Sequence, residues 1–173
     1  MKRTGVFARI GVVGAGAVIA GAALAMPASA QSATANLTVS ATVTVNCTIS
    51  TSPVAFGNYD PVVANASAAL DATGTITVAC TKGATSSIGL NLGSNGSGST
   101  RRMSSGGGNY LAYELYSNAA RTTVWENSGA GLLSTGVSPS KAARTFTVYG
   151  RVAGNQDVSA GGYTDTVVAT VNF

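Results

Sequence analysis

An all-β sandwich is the fold class that this sequence predicts. Residues 33–49, ATANLTVSATVTVNCTI, carry Ala, Leu, Val, Cys or Ile at every odd position and only Thr, Asn or Ser between them. Unbroken period-2 alternation over seventeen residues marks extended chain with one buried face. Beyond it, β-branched and aromatic residues are grouped in short runs separated by Gly, Ser and Asn, the pattern of sandwich strands and their turns. No window repeats apolar residues at i, i+3 and i+4 over three turns, as an amphipathic helix requires.

The first thirty residues stand apart. Lys2, Arg3 and Arg9 form a basic start, Ile10–Met26 carry no charge, and Ala28-Ser29-Ala30 is an A-x-A site. This is the pattern of a secretory signal peptide cleaved before Gln31. A transmembrane anchor is the alternative, but the run is rich in Gly and Ala and ends in small residues. Its glycines lack the third Gly of a dinucleotide loop and follow no predicted strand. Cleavage leaves 143 of the 173 residues, and ten cations less these three leave seven against six anions. A net charge of +1 offers no basic stripe, so no nucleic-acid partner is expected.

Strands are then expected in order over Val54–Tyr59, closed by a turn at Asp60-Pro61, and over Thr73–Cys80, Ser87–Leu92, Tyr110–Tyr116, Arg144–Val152 and Tyr163–Phe173. Gly93–Asn109 reads as a Gly/Ser loop containing Arg101-Arg102-Met103, and the stretch around Trp125 as irregular. Splitting the chain at the Gly/Ser loop would leave each half too few strands for a core, so one domain is expected. Cys47 and Cys80 are the two cysteines, and in an exported chain an even pair implies a disulfide. Free buried thiols are the alternative; a zinc site is disfavoured because the chain has no His.

Catalytic chemistry is hard to find. Without His the commonest general base and metal ligand are missing, and six scattered carboxylates make no calcium loop. Ser138-Pro139-Ser140-Lys141 matches S-x-x-K, but a Pro intervenes and the partner motifs are absent, so a turn is the better reading. Arg101-Arg102 could hold a phosphate or an acidic glycan, although solvated loop charges are commoner. Tyr110, Tyr113 and Tyr116 could stack on a sugar, but Tyr113 shares its face with Leu111 and Leu115 and is expected in the core. No enzyme activity and no cofactor or metal are expected.

The opening alternation is too long for one sandwich strand. At about 3.3 Å per residue it spans some 56 Å, against roughly 35 Å for a sandwich of this size. Cys47, tied to Cys80, anchors its end, whereas residues 31–46 begin at a free end after processing. Such a segment is able to pair with a sheet edge of another molecule.

The stretches FGNYDP (56–61), ITVACTKG (76–83), RRMSSG (101–106), LAYELYSNAARTTVW (111–125) and GGYTDTVVATVNF (161–173) together resemble the spore coat protein U domain family. That family includes subunits of archaic chaperone–usher pili. The resemblance covers essentially all of the mature chain, and the closing GxYxDTxxxTVxF is its most specific part. It implies an incomplete immunoglobulin-like β-sandwich completed by donor-strand complementation, with residues 47–173 as the domain and 31–46 as the donor segment. Ala35, Leu37, Val39, Ala41 and Val43 would be the donor residues. Val167, Ala169, Val171 and Phe173 would line the acceptor groove and pair with a periplasmic chaperone. An outer-membrane usher and copies of the chain itself would be the other partners, and the product a surface fibre for adhesion and biofilm formation. A self-complemented secreted coat or matrix protein is the alternative.

Overall fold

The computed structural model describes residues 29–173, so the expected signal peptide, but for its last two residues, lies outside the described part. Residues 41–173 form one compact unit. In the unit before it, residues 29–40 take no helix, strand or turn and all are exposed.

Eight strands follow: β1 (Cys47–Ser52), β2 (Leu70–Cys80), β3 (Thr85–Leu90), β4 (Arg101–Gly106), β5 (Asn109–Tyr116), β6 (Leu133–Val137), β7 (Arg144–Val152) and β8 (Ala169–Asn172). They make two sheets, one ordered β1-β2-β7-β5-β4 and one ordered β6-β3-β8. Every strand pair is antiparallel. Alternation drives the layering. In β2, Gly74, Ile76, Val78 and Cys80 are buried while Thr73, Thr75, Thr77 and Ala79 face outward. β5 buries Leu111, Tyr113 and Leu115, and β7 buries Val148 and Val152. These residues meet Ile88 and Leu90 of β3 in a single cluster, so the two sheets pack face to face. Trp125 is fully buried within it, and its indole N–H donates to the Ile88 carbonyl at 2.9 Å.

The strand bounds depart from expectation where neighbours, not side chains, decide. Only Cys47–Ile49 of the long alternation enter a ladder, because β2 ends at Cys80, directly opposite Cys47. Val54–Tyr59 takes no strand, although the turn at Asp60-Pro61 is present, the Asp60 carboxylate accepting from the Val62 and Val63 N–H groups. β4 lies inside what reads as a loop. Its hairpin to β5 turns on Gly107-Gly108, both at positive φ (58° and 84°), the conformation of a tight two-residue hairpin turn. β6 also falls in a stretch expected to be irregular; a bulge places Thr135 outside the register, where its hydroxyl donates to the Ser86 carbonyl at 2.8 Å.

Cys47 and Cys80 form a disulfide that closes a separation of 33 residues. Chain-entropy arithmetic puts its contribution at about 4 kcal/mol. Replacing both by Ser is therefore expected to lower the unfolding free energy by roughly that amount. A denaturation curve that coincides with the parent's would show that the cross-link does not hold β1 in place.

Candidate functional site: an open cleft between two sheet edges

β1 ends one sheet and β8 ends the other, and the two come close to one another. Between the chain that follows β1 and the chain that precedes β8 lies a cleft, seen as adjoining cavities of about 470 Å³ and about 700 Å³. Val54, Phe56, Met103 and Tyr163 border both. The floor is the sandwich core itself, reached at Ile76, Leu90, Leu115 and Val148. One wall is 51–59, the other 163–169. The cleft thus reaches down to the core between the two walls.

Backbone polarity explains why the slot remains open. In the wall 163–169, the even residues spend their groups away from the cleft. Thr164 exchanges N–H···O bonds with Ser104 (2.8 and 3.0 Å), the Thr166 carbonyl accepts from Ser94 (3.0 Å), and the Val168 carbonyl accepts from Asn91 (3.1 Å). Successive residues of an extended chain aim these groups to opposite sides. The odd residues therefore present theirs to the cleft, and among the described residues Asp165 and Val167 make no backbone hydrogen bond. Residues 54–59 of the facing wall make none either. Both walls thus carry unpaired backbone groups, and unpaired groups along an extended stretch such as 163–169 are a template for an added strand.

Side chains follow the same parity. Tyr163, Asp165, Val167, Ala169 and Val171 are half-buried, while the residues between them are exposed. Of Val167, Ala169, Val171 and Phe173, the first two border the cleft. Val171 packs against the core, paired with Ile88 in the β3–β8 ladder, and Phe173 is mostly exposed at the end of the strand. Sequence reasoning missed the opposite wall, Val54 and Phe56, and missed Asp165. The latter was legible as the one acid in the alternating run YTDTVVATV.

Asp165 is the charged side chain in the cleft wall. Its Oδ1 accepts from the Asn95 backbone N–H (3.1 Å) and side-chain amide (3.0 Å), and its Oδ2 from the Tyr113 hydroxyl (2.7 Å). Burial first, and then this hydrogen bond, push the Tyr113 phenol well above its usual range, so the ring stays neutral. Tyr113 is a core residue, as expected, and not part of a sugar platform.

Ala35, Leu37, Val39, Ala41 and Val43 lie in chain without secondary structure, and all are exposed. Leu37 is 88% exposed, Val39 85% and Val43 82%. Isolated exposed aliphatics are ordinary, but a row of them on one face of an alternating segment is a surface awaiting cover.

Two other sequence-marked spots have structural explanations. Arg101 is neither a ligand-binding nor a solvated loop charge: it is 1% exposed on β4, paired with Glu114 and hydrogen-bonded to three carbonyls. Arg102 lies 4.0 Å from the Tyr110 ring centre, and its Nε donates to the Asn95 carbonyl. Ser138 is buried, its hydroxyl accepting from Arg144 at 2.9 Å, and Lys141 is exposed in a non-helical turn. The S-x-x-K reading fails because the Ser and Lys do not share a helical face.

Comparison with known proteins places this architecture. The chaperone–tip adhesion subunit pre-assembly complex CsuC-CsuE, from the archaic chaperone–usher Csu pili of Acinetobacter baumannii, contains a chain that superposes with a TM-score of 0.57 at 22% identity. The match spans 76% of this chain and 41% of that one, less than half of its length. That likeness is one of fold. The Hda pilus minor tip subunit HdaB of E. coli aligns more loosely, with a TM-score of 0.40 at 18% identity over 72% of this chain and 79% of its own. Protein U of Myxococcus xanthus is 40% identical over 161 residues, covering 85% of this chain and 88% of that protein. The family match runs from residue 33 to residue 170, across the strandless alternating segment and both walls of the cleft, and the chain belongs to the Spore Coat Protein U domain family.

Proposed function

We propose that this chain is a structural pilus subunit, polymerising by donor-strand exchange through the open cleft. One observation carries the reading. The chain has an immunoglobulin-like sandwich with two unpaired edges around an apolar slot, and also an alternating segment whose apolar face is uncovered. Residues 31–46 of one copy would lie in the slot of the next, with Ala35, Leu37, Val39, Ala41 and Val43 facing the core. Burying Leu37, Val39 and Val43 is worth roughly 1.5–3 kcal/mol each, and the ladder adds about 0.5–1.5 kcal/mol net per hydrogen bond. Such a total rivals the stability of a small domain.

Before assembly the slot needs a temporary occupant, and the likeness to a chain of a chaperone–subunit complex supports a periplasmic chaperone in that role. An outer-membrane usher would then direct the exchange. The product would be a surface fibre serving adhesion and biofilm formation. Insertion of the segment into its own slot is less well supported. It would require a reversal just before Cys47, yet the chain makes no turn over residues 41–46. There the Thr81 hydroxyl accepts from the Asn46 N–H at 3.1 Å and lies 3.2 Å from the Thr44 carbonyl.

Surface extracts run in cold SDS are expected to give a ladder of multiples of the subunit that collapses to monomer on boiling, and electron microscopy should show fibres lost with the gene. A single monomer band in both lanes overturns the reading in favour of a self-complemented protein.

A further inference from the structure

The acid in the cleft wall is the residue that a simple strand-addition groove does not need. An inward-pointing charge on an open edge opposes indiscriminate pairing, and this one cannot move aside. Asn95 and Tyr113 hold its carboxylate through three hydrogen bonds. Behind it stands Gly93, where a Cβ would come within 1.9 Å of Oδ2. Asp165 is half-buried and borders the cleft. A bulky apolar side chain set against it would strip water from a charge and return no hydrogen bond, which is costly. A methyl group leaves the carboxylate partly solvated.

Resting on the donor-strand reading, we propose that Asp165 sets the register of the incoming strand by admitting only a small residue opposite it, and that Ala41 is that residue. Directly opposed residues of a strand pair share a face. With the donor antiparallel and Ala41 against Asp165, Val39 falls opposite Val167, Leu37 opposite Ala169 and Ala35 opposite Val171. The largest donor side chain then covers the smallest residue of the wall. A shift of two residues in either direction sets Val39 or Val43 on the carboxylate. A parallel donor satisfies Asp165 with Ala35, which crowds Leu37 against Val167, or with Ala41, which would set Cys47, already paired in its own sheet, against Val171.

The test uses the full chain and the cold-SDS ladder. Ala41→Leu is expected to reduce multimers by about tenfold or more, the cost of taking solvent from a charged carboxylate without giving it a further hydrogen bond, while Ala35→Leu, set against Val171 and not against the carboxylate, is expected to reduce them less. Asp165→Ala added to Ala41→Leu should restore assembly. Because Asp165→Ala also removes hydrogen bonds, a second measurement avoids it. A chain carrying Val39→Cys and Val167→Cys should form disulfide-linked multimers that survive boiling without reductant, and one carrying Leu37→Cys and Val167→Cys should not. Normal laddering of Ala41→Leu, a block by Ala35→Leu instead, or cross-linking only in the Leu37 pair overturns the register. Absence of any ladder from the parent overturns the donor-strand reading itself, so the two failures are distinguishable.

Discussion

Deleting residues 31–42 is expected to abolish polymerisation while leaving chaperone binding intact. The deletion removes Ala35, Leu37, Val39 and Ala41 and keeps Val43, Cys47 and the whole sandwich. On the proposed reading, what disappears is the strand that would be donated to a neighbour; the slot between Val54–Tyr59 and Tyr163–Ala169 is untouched. Losing the burial of Leu37 and Val39 costs about 3–6 kcal/mol of interface, and the lost ladder bonds add to that. At about 1.4 kcal/mol per factor of ten, such a loss separates a fibre that survives cold SDS from one that does not. The asymmetry is the diagnostic point. A misfolded variant would lose both activities, whereas a donor-less one keeps its affinity for whatever fills the slot. Co-purification with the chaperone, set beside the ladder, measures both. Assembly of the truncated chain would show that a different segment is donated.

Replacing Arg101 is expected to destabilise the domain by about 1–3 kcal/mol for each buried acceptor left unsatisfied, since the guanidinium is buried while Glu114 is partly exposed. Arg101 projects from β4 into the space between the sheets. It meets Glu114 of β5 while its Nε and Nη2 donate to the carbonyls of Asn91 (3.0 Å), Leu90 (2.9 Å) and Trp125 (2.7 Å). One guanidinium thus joins the edge of the five-stranded sheet to the end of β3 and to the Trp125 segment. Arg101→Met keeps the apolar stem but takes the guanidinium donor from three carbonyls and the cation from Glu114, which keeps only the Leu115 N–H (2.9 Å), and urea denaturation should register the loss. Arg101→Met with Glu114→Gln should recover part of it, since the orphaned charge is then gone. Parent-like stability of Arg101→Met would refute the staple.

The most legible parts of this fold were those where side chains alone carry the signal. β2, β5 and β7 bury alternate residues on one face and turn threonines, tyrosines or charges outward, so period-2 reading finds them close to their true bounds. β4 was hidden because RRMSSG contains no β-branched residue and lies among glycines. Its strand character comes from the hairpin turn at Gly107-Gly108 and from Arg101, whose burial depends on acceptors from three other parts of the chain. Conversely, residues 33–46 have the strongest strand pattern in the chain and form no strand, since extended backbone needs a neighbour to pair with.

The sequence by itself determined that the protein is all-β, that Cys47 and Cys80 are a matched pair, and that residues 33–49 carry an apolar face larger than one sandwich strand can bury. Periodicity and residue type are local properties, and these conclusions need nothing more. Only the tertiary structure decided where the sandwich is left open, which edges go unpaired, and that a carboxylate stands within the opening. Those facts depend on which strands run out of neighbours. β1 follows the alternating segment and β8 lies at the far end of the chain, and nothing local in either sequence records that the two edges face one another.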